Sequence, residues 1–161
     1  MPLVAGANCL DCLAVVGDGG RRDWTWREIH AASIVLADSL ESEKALCNLC
    51  HSRSGFLVTW LAALRRGCVQ LLPPSGGQAE LVAMLTASGD CQVVVDDADT
   101  VRQPWAAQAH CLTQNPTAEG VGLSDTELAW SPDWDRRLVR LFTSGSTGRP
   151  EPPAVAGAAR C

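Results

Sequence analysis

The chain has one lysine, Lys44, among its 161 residues and no Gly-Lys dipeptide. That excludes a phosphate-binding loop of the G-x-x-x-x-G-K-[ST] kind. No stretch approaches the ~18 consecutive apolar residues of a membrane-spanning helix. Met1 to Val16 is apolar, but it lacks a basic start and is interrupted by Asp11. No secretory signal is read there, and the cytoplasm is the expected compartment. Basic residues run no further than the pairs Arg21-Arg22, Arg65-Arg66 and Arg136-Arg137. This leaves no polybasic patch for an anionic membrane. Thirteen Lys and Arg against eighteen Asp and Glu give a net charge of −5, which argues against a nucleic-acid partner. Internal repeats are absent as well.

What is present is a globular composition. Hydrophobic residues make up 47% and charged residues 19% of the chain, too apolar for a disordered polymer. The length suits one domain, or a piece of a larger one. Eight cysteines stand at positions 9, 12, 47, 50, 68, 91, 111 and 161, several inside apolar runs. They read as buried free thiols, which behave as small hydrophobes in a reducing compartment. Cys9-x-x-Cys12 and Cys47-x-x-Cys50 offer an alternative reading as a zinc module, but the gap between the pairs is longer than such sites use.

The pattern of apolar residues predicts alternating strands and helices. Cys12 to Val16 reads as a strand, Gly17 to Gly20 as a turn and Asp23 to Trp26 as the return strand. The stripe Trp26, Ile29, Ile34, Leu36 and Leu40 predicts a helix. Lys44 to Cys50 is a strand. Ser52 or Ser54 then caps a helix over Gly55 to Arg66, which Gly67 stops. Cys68 to Leu72 is a buried strand, Gln78 to Ser88 an amphipathic helix and Gln92 to Val95 another strand. The region from Asp99 to Asp133 reads as loops with one short strand near Cys111. Arg137 to Phe142 is a final strand. Such alternation implies an α/β fold with a mostly parallel sheet flanked by helices.

Several residues are expected to play bland parts. Asp96, Asp97 and Asp99 read as a solvated turn rather than a cation site. His30, His51 and His110 lie apart and are expected on surfaces or helix faces. Trp24, Trp26 and Trp60 are expected in the core. Trp105, Trp130 and Trp134 fall in weakly patterned stretches, and with no interleaved basic residues they do not suggest a base-stacking platform.

One segment carries chemistry: Leu141-Phe142-Thr143-Ser144-Gly145-Ser146-Thr147-Gly148-Arg149-Pro150. A strand runs into four hydroxyl side chains and two glycines. Glycine lets backbone approach a ligand closely, and successive N–H groups form anion-binding nests. Arg149 adds a full positive charge. The combination suits nucleotide phosphates.

The string Thr143-Ser144-Gly145-Ser146-Thr147-Gly148-x-Pro150 resembles the phosphate-binding signature of the AMP-forming adenylation family, which includes acyl-CoA synthetases and the adenylation domains of peptide synthetases. Trp24-Thr25-Trp26-Arg27-Glu28-Ile29 is similar to the family's early strand-to-helix element. Phe56 to Pro73, with Trp60, Ala62, Ala63 and Gly67, is similar to its helix–Gly–Pro element. The resemblance covers Cys12 to about Pro150. It implies ATP-dependent activation of a carboxylic acid as an acyl-adenylate, then transfer to the thiol of coenzyme A or an acyl-carrier protein. It implies Thr143, Ser144, Gly145, Ser146, Thr147, Gly148 and Arg149 as ATP phosphate-binding residues, with Mg2+ accompanying ATP.

Two features depart from the family pattern. Glu151 follows Pro150 where the family usually has lysine. The family's enzymes are also several times longer. Residues 1–150 therefore read as the N-terminal part of an adenylation domain, cut short. The Ala/Pro-rich residues 151–161 read as an unstructured tail, the product of a frameshift or of a truncated gene. The isolated chain is then expected to be inactive and marginally stable. The alternative is a non-catalytic remnant, or a fragment that docks on the missing remainder of the enzyme.

Overall fold

The computed structural model describes residues 12–15, 23–73, 78–97, 109–111, 123–124, 130–131, 139–141, 143–144 and 150–151. The first strands, β1 (Leu13–Val15) and β2 (Trp24–Thr25), pair antiparallel. Helix α1 (Trp26–Ser39) follows at once. It starts there because Thr25 and Glu28 form a capping box. The Glu28 N–H donates to Thr25 Oγ1 at 3.2 Å, and the Thr25 N–H donates to Glu28 Oε2 at 2.8 Å. Two of the helix's unpaired N-terminal donors are thereby satisfied.

The main sheet contains β3 (Ala45–Asn48), β4 (Gln70–Leu72), β5 (Cys91–Val95), β6 (Ala109–Cys111) and β7 (Val139–Leu141). Its order is β6-β5-β3-β4-β7, and all four pairings are parallel. Helix α2 (Arg53–Arg66) connects β3 to β4, and α3 (Gln78–Ser88) connects β4 to β5. The step from β3 to β4 and the step from β4 back past β3 to β5 run in opposite directions. Right-handed crossovers therefore put α2 and α3 on opposite faces.

The core divides accordingly. Leu46 and Val94 point to one face, where they join Ile29, Ala32 and Leu36 of α1 and Val58, Leu61 and Ala62 of α2. Cys47, Leu71, Cys91, Val93 and Val95 point to the other, with Met84 of α3 and the half-buried Leu81 and Leu85. The period-two alternation of a strand, apolar on both sides, explains why these segments read as continuous hydrophobic runs. Trp24 is buried as the sequence led us to expect; Trp26 and Trp60 pack against the core half-buried.

Helix ends follow from local chemistry. Ser52 caps α2, its Oγ accepting the Gly55 N–H at 3.0 Å. Gly67 ends it with φ of 68°, a left-handed conformation that glycine adopts without penalty. The Arg66 Nε donates to the Leu40 carbonyl at 3.0 Å and so closes the end of α1.

His30 lies on a face of α1, as expected, and is 3% exposed where that face meets α2. Two expectations are corrected. Cys12 is exposed, whereas Cys47, Cys68 and Cys91 are buried free thiols. Asp96 is no solvated turn residue; it is 5% exposed, for reasons set out next.

Candidate functional site

In an all-parallel sheet every strand delivers its carboxyl end to the same edge. Ligands of open α/β sheets bind along that edge, chiefly where the strand order reverses. Here the reversal lies between β3 and β5, and the segments after these strands are Leu49–Ser52 and Asp96–Asp97.

That point is filled by the chain's own carboxylate. Asp96 Oδ1 accepts the His51 N–H at 2.8 Å, and Oδ2 accepts the Ser52 N–H at 2.9 Å. The Ser52 hydroxyl also donates to Oδ2. Ser52 Oγ in turn accepts from Gly55, so a hydrogen-bonded chain runs from the first turn of α2 through Ser52 to Asp96. A carboxylate there also meets the positive end of the helix dipole. A Cβ on Gly55 would stand 2.5 Å from Asp96 Oδ2 and 2.8 Å from Ser52 Oγ, so glycine is what lets the carboxylate approach. On the β3 side Asn48 turns the chain. Its Oδ1 accepts the Cys50 N–H at 3.2 Å, and its Nδ2 donates to the Phe56 carbonyl at 3.2 Å.

Beside this lock an open groove of about 520 Å³ lies between β1 and the start of α2. Ala14, Val15, Phe56 and Leu57 give it apolar walls, and His51 and Arg53 stand on its polar side. The His51 side chain is 72% exposed, with Nδ1 4.0 Å from Asp96 Oδ1.

The first two residues of the hydroxyl- and glycine-rich segment, Thr143 and Ser144, follow β7 at the same edge. Thr143 and Ser144 form β8, which pairs antiparallel with β9 (Pro150–Glu151) in the register Thr143↔Glu151 and Ser144↔Pro150. The pairing makes β8 and β9 the two arms of a hairpin. Gly145, Ser146, Thr147, Gly148 and Arg149 lie outside the described residues. The sequence reading placed Thr143 and Ser144 in a loop; they are the first strand of this hairpin.

The other candidates disperse. Lys44 pairs with Glu41 at 2.8 Å and Asp90 at 2.6 Å, at the opposite edge of the sheet. Burial pushes the Cys47 thiol far up and the Cys68 and Cys91 thiols upward, so these act as apolar packing groups. Among the described residues no group of three His, Cys, Asp or Glu comes together as a metal site. No described helix is long and apolar enough to cross a membrane.

No family model matches the chain. Among curated proteins it is 31% identical over 141 residues to the apicidin F synthase of Gibberella fujikuroi, a match that covers 79% of this chain and 3% of that protein. It is 32% identical over 143 residues to the AMB antimetabolite synthetase AmbB of Pseudomonas aeruginosa, covering 83% and 11%. It is 28% identical over 148 residues to the phosphinothricin tripeptide synthetase PhsB of Streptomyces viridochromogenes, covering 88% and 12%. The chain thus spans 3% to 12% of these relatives' lengths.

Solved structures share the fold. A fused adenylation–PCP di-domain, NpsA-ThdA from Klebsiella oxytoca, superposes with a TM-score of 0.57 at 20% identity, covering 82% of this chain and 27% of that one. The N-terminal subdomain of NpsA from the same organism, in complex with 3-hydroxyanthranilyl-AMSN, gives 0.55 at 18% identity, covering 82% and 33%. A fatty acyl-adenylate ligase from L. pneumophila, in complex with acyl adenylate and pyrophosphate, gives 0.52 at 19%, covering 81% and 25%.

Proposed function

Because this chain belongs to the AMP-forming adenylation family, matching its N-terminal subdomain, we propose that it serves ATP-dependent activation of a carboxylic acid. In that reaction the carboxylate attacks the α-phosphate of ATP, giving an acyl-adenylate and pyrophosphate. The acyl group then passes to a thiol, of an acyl-carrier protein or of coenzyme A. The observation that carries the reading is the 28% to 32% identity to three synthetases over most of the chain.

The proposed part of this chain is phosphate binding by Thr143 to Gly148, with Arg149 beside them. The position of the β8–β9 hairpin after β7, on the edge where such sheets take ligands, supports it. Backbone N–H and hydroxyl donors held in place there would stabilise charge on the leaving pyrophosphate. The described residues do not fit a resident metal: the Asp96 carboxylate is filled by its own donors. Magnesium enters this proposal only as the companion of ATP, and no side chain is assigned to it. Residues 1–150, together with Glu151 of β9, form the adenylation part, and 152–161 are a tail. A cytoplasmic setting agrees with the free thiols.

Calorimetry with magnesium-ATP tests the proposal. Replacing Thr143, Ser144 and Thr147 together by alanine should weaken binding at least about tenfold, that is by about 1.4 kcal/mol. Unchanged affinity would overturn the assignment. The second reading is a non-catalytic remnant, or a fragment that docks on the remainder of such an enzyme. A folded chain with no ATP affinity, regained on adding the remaining segments in trans, would favour that reading.

A further inference from the structure

Between α1 and α2 lies a polar cluster that the proposed reaction does not use. The guanidinium of Arg65 donates from Nη2 to His30 Nδ1 at 3.1 Å and from Nε to Ser33 Oγ at 3.3 Å. The Ser33 hydroxyl donates to the His30 carbonyl at 2.7 Å, so its lone pairs face Arg65. The far side of the guanidinium lies over the Trp130 ring, 4.4 Å from the centroid. Trp130 packs half-buried on the core and precedes β7 in the chain.

Arginine cannot accept a hydrogen bond and does not lose its proton. The contact therefore fixes the imidazole as neutral, with its proton on Nε2 and its lone pair on Nδ1. A second proton would go to Nδ1. Two donors and two positive charges would then face each other in a buried site. Arg65 is the charged group facing His30 from α2. On α1, Arg27 is exposed, and the Glu28 carboxylate is turned back to Thr25.

We propose that His30, Arg65 and Trp130 form an acid-released clamp. In it, protonation of the buried imidazole expels the guanidinium and frees the indole from the α1–α2 pair. The clamp is closed while His30 is neutral. Burial, and then the Arg65 charge, lower its pKa below the ordinary 6.5. The neutral form is favoured in the fold, so the contribution is complete above about pH 6.5. It is lost as pH falls from there through the lower folded-state pKa.

Tryptophan fluorescence between about pH 8 and about pH 5 tests the clamp, the difference between the chain and its Trp130→Phe variant isolating that indole. Expected is a one-proton transition with its midpoint below 6.5, while far-ultraviolet circular dichroism still reports the native fold. His30→Gln, which cannot take the proton, should abolish it. No transition while the fold persists, or one that survives in His30→Gln, would overturn the proposal. If that variant does not fold, histidine NMR titration of the unaltered chain decides. The His30 ring should titrate at the fluorescence midpoint, and a different midpoint rejects the clamp.

Discussion

Asp96 and Ser52 stand 44 residues apart in the chain, yet the backbone N–H and the hydroxyl of Ser52 both donate to Asp96 Oδ2. The contact ties the end of β5 to the start of α2 across the reversal point of the sheet.

Replacing Asp96 by alanine removes three donors' partner at once and leaves them in a site that is almost closed to water. A loss of about 2 to 3 kcal/mol in urea unfolding is expected, the range for hydrogen bonds to a charged group and for stranded donors. Asn in place of Asp should not restore it, because an NH2 donor then replaces one carboxylate oxygen and faces donors.

Gly55→Ala should destabilise. Alanine gains up to about 1 kcal/mol over glycine in a helix interior. Its Cβ, however, would stand 2.5 Å from Asp96 Oδ2, well inside contact distance. A lowered melting temperature is expected, and a raised one would show that the carboxylate can retreat at little cost. The variant pair Gly55→Ala and Asp96→Ala should be non-additive, since both break the same contact.

Thr25→Ala and Glu28→Ala should each cost about 0.5 to 2 kcal/mol. The double variant should cost less than their sum, because each residue caps through the other. Chemical denaturation of the four proteins measures the coupling.

Thiol labelling should divide the cysteines. Cys12 is exposed and should react in the native state, whereas Cys47, Cys68 and Cys91 should wait for unfolding. Cys12→Ser should remove one fast-reacting thiol. Native-state labelling of Cys47 would contradict its burial.

Much of the fold was legible because its signals are local. Gln78 to Ser88 reads as a helix from spacing alone and is one, with the same bounds. Gly67 announced the end of α2 by its freedom to adopt positive φ. The Thr25–Glu28 spacing is a capping signal legible in the sequence. β3 stops at Asn48, short of the expected Cys50, because the Asn48 side chain bonds Cys50 and Phe56 and turns the chain. Apolar patterning does not register such a turn. Asp96 was misread for a different reason: it is buried by a partner far along the chain, Ser52. Composition around a residue cannot announce a contact of that separation. In the candidate site, residue types pointed to the segment after β7, but not to the pairing of Thr143 with Glu151.

The internal anion at the head of α2 also sorts the sheet's rim into two halves. The half near β3 and β5 has spent its helix end on Asp96, so an incoming phosphate finds negative charge there already seated. Repulsion would turn such a guest toward β4 and β7. A buried aspartate thus leaves one end of the rim less hospitable to anions than the other.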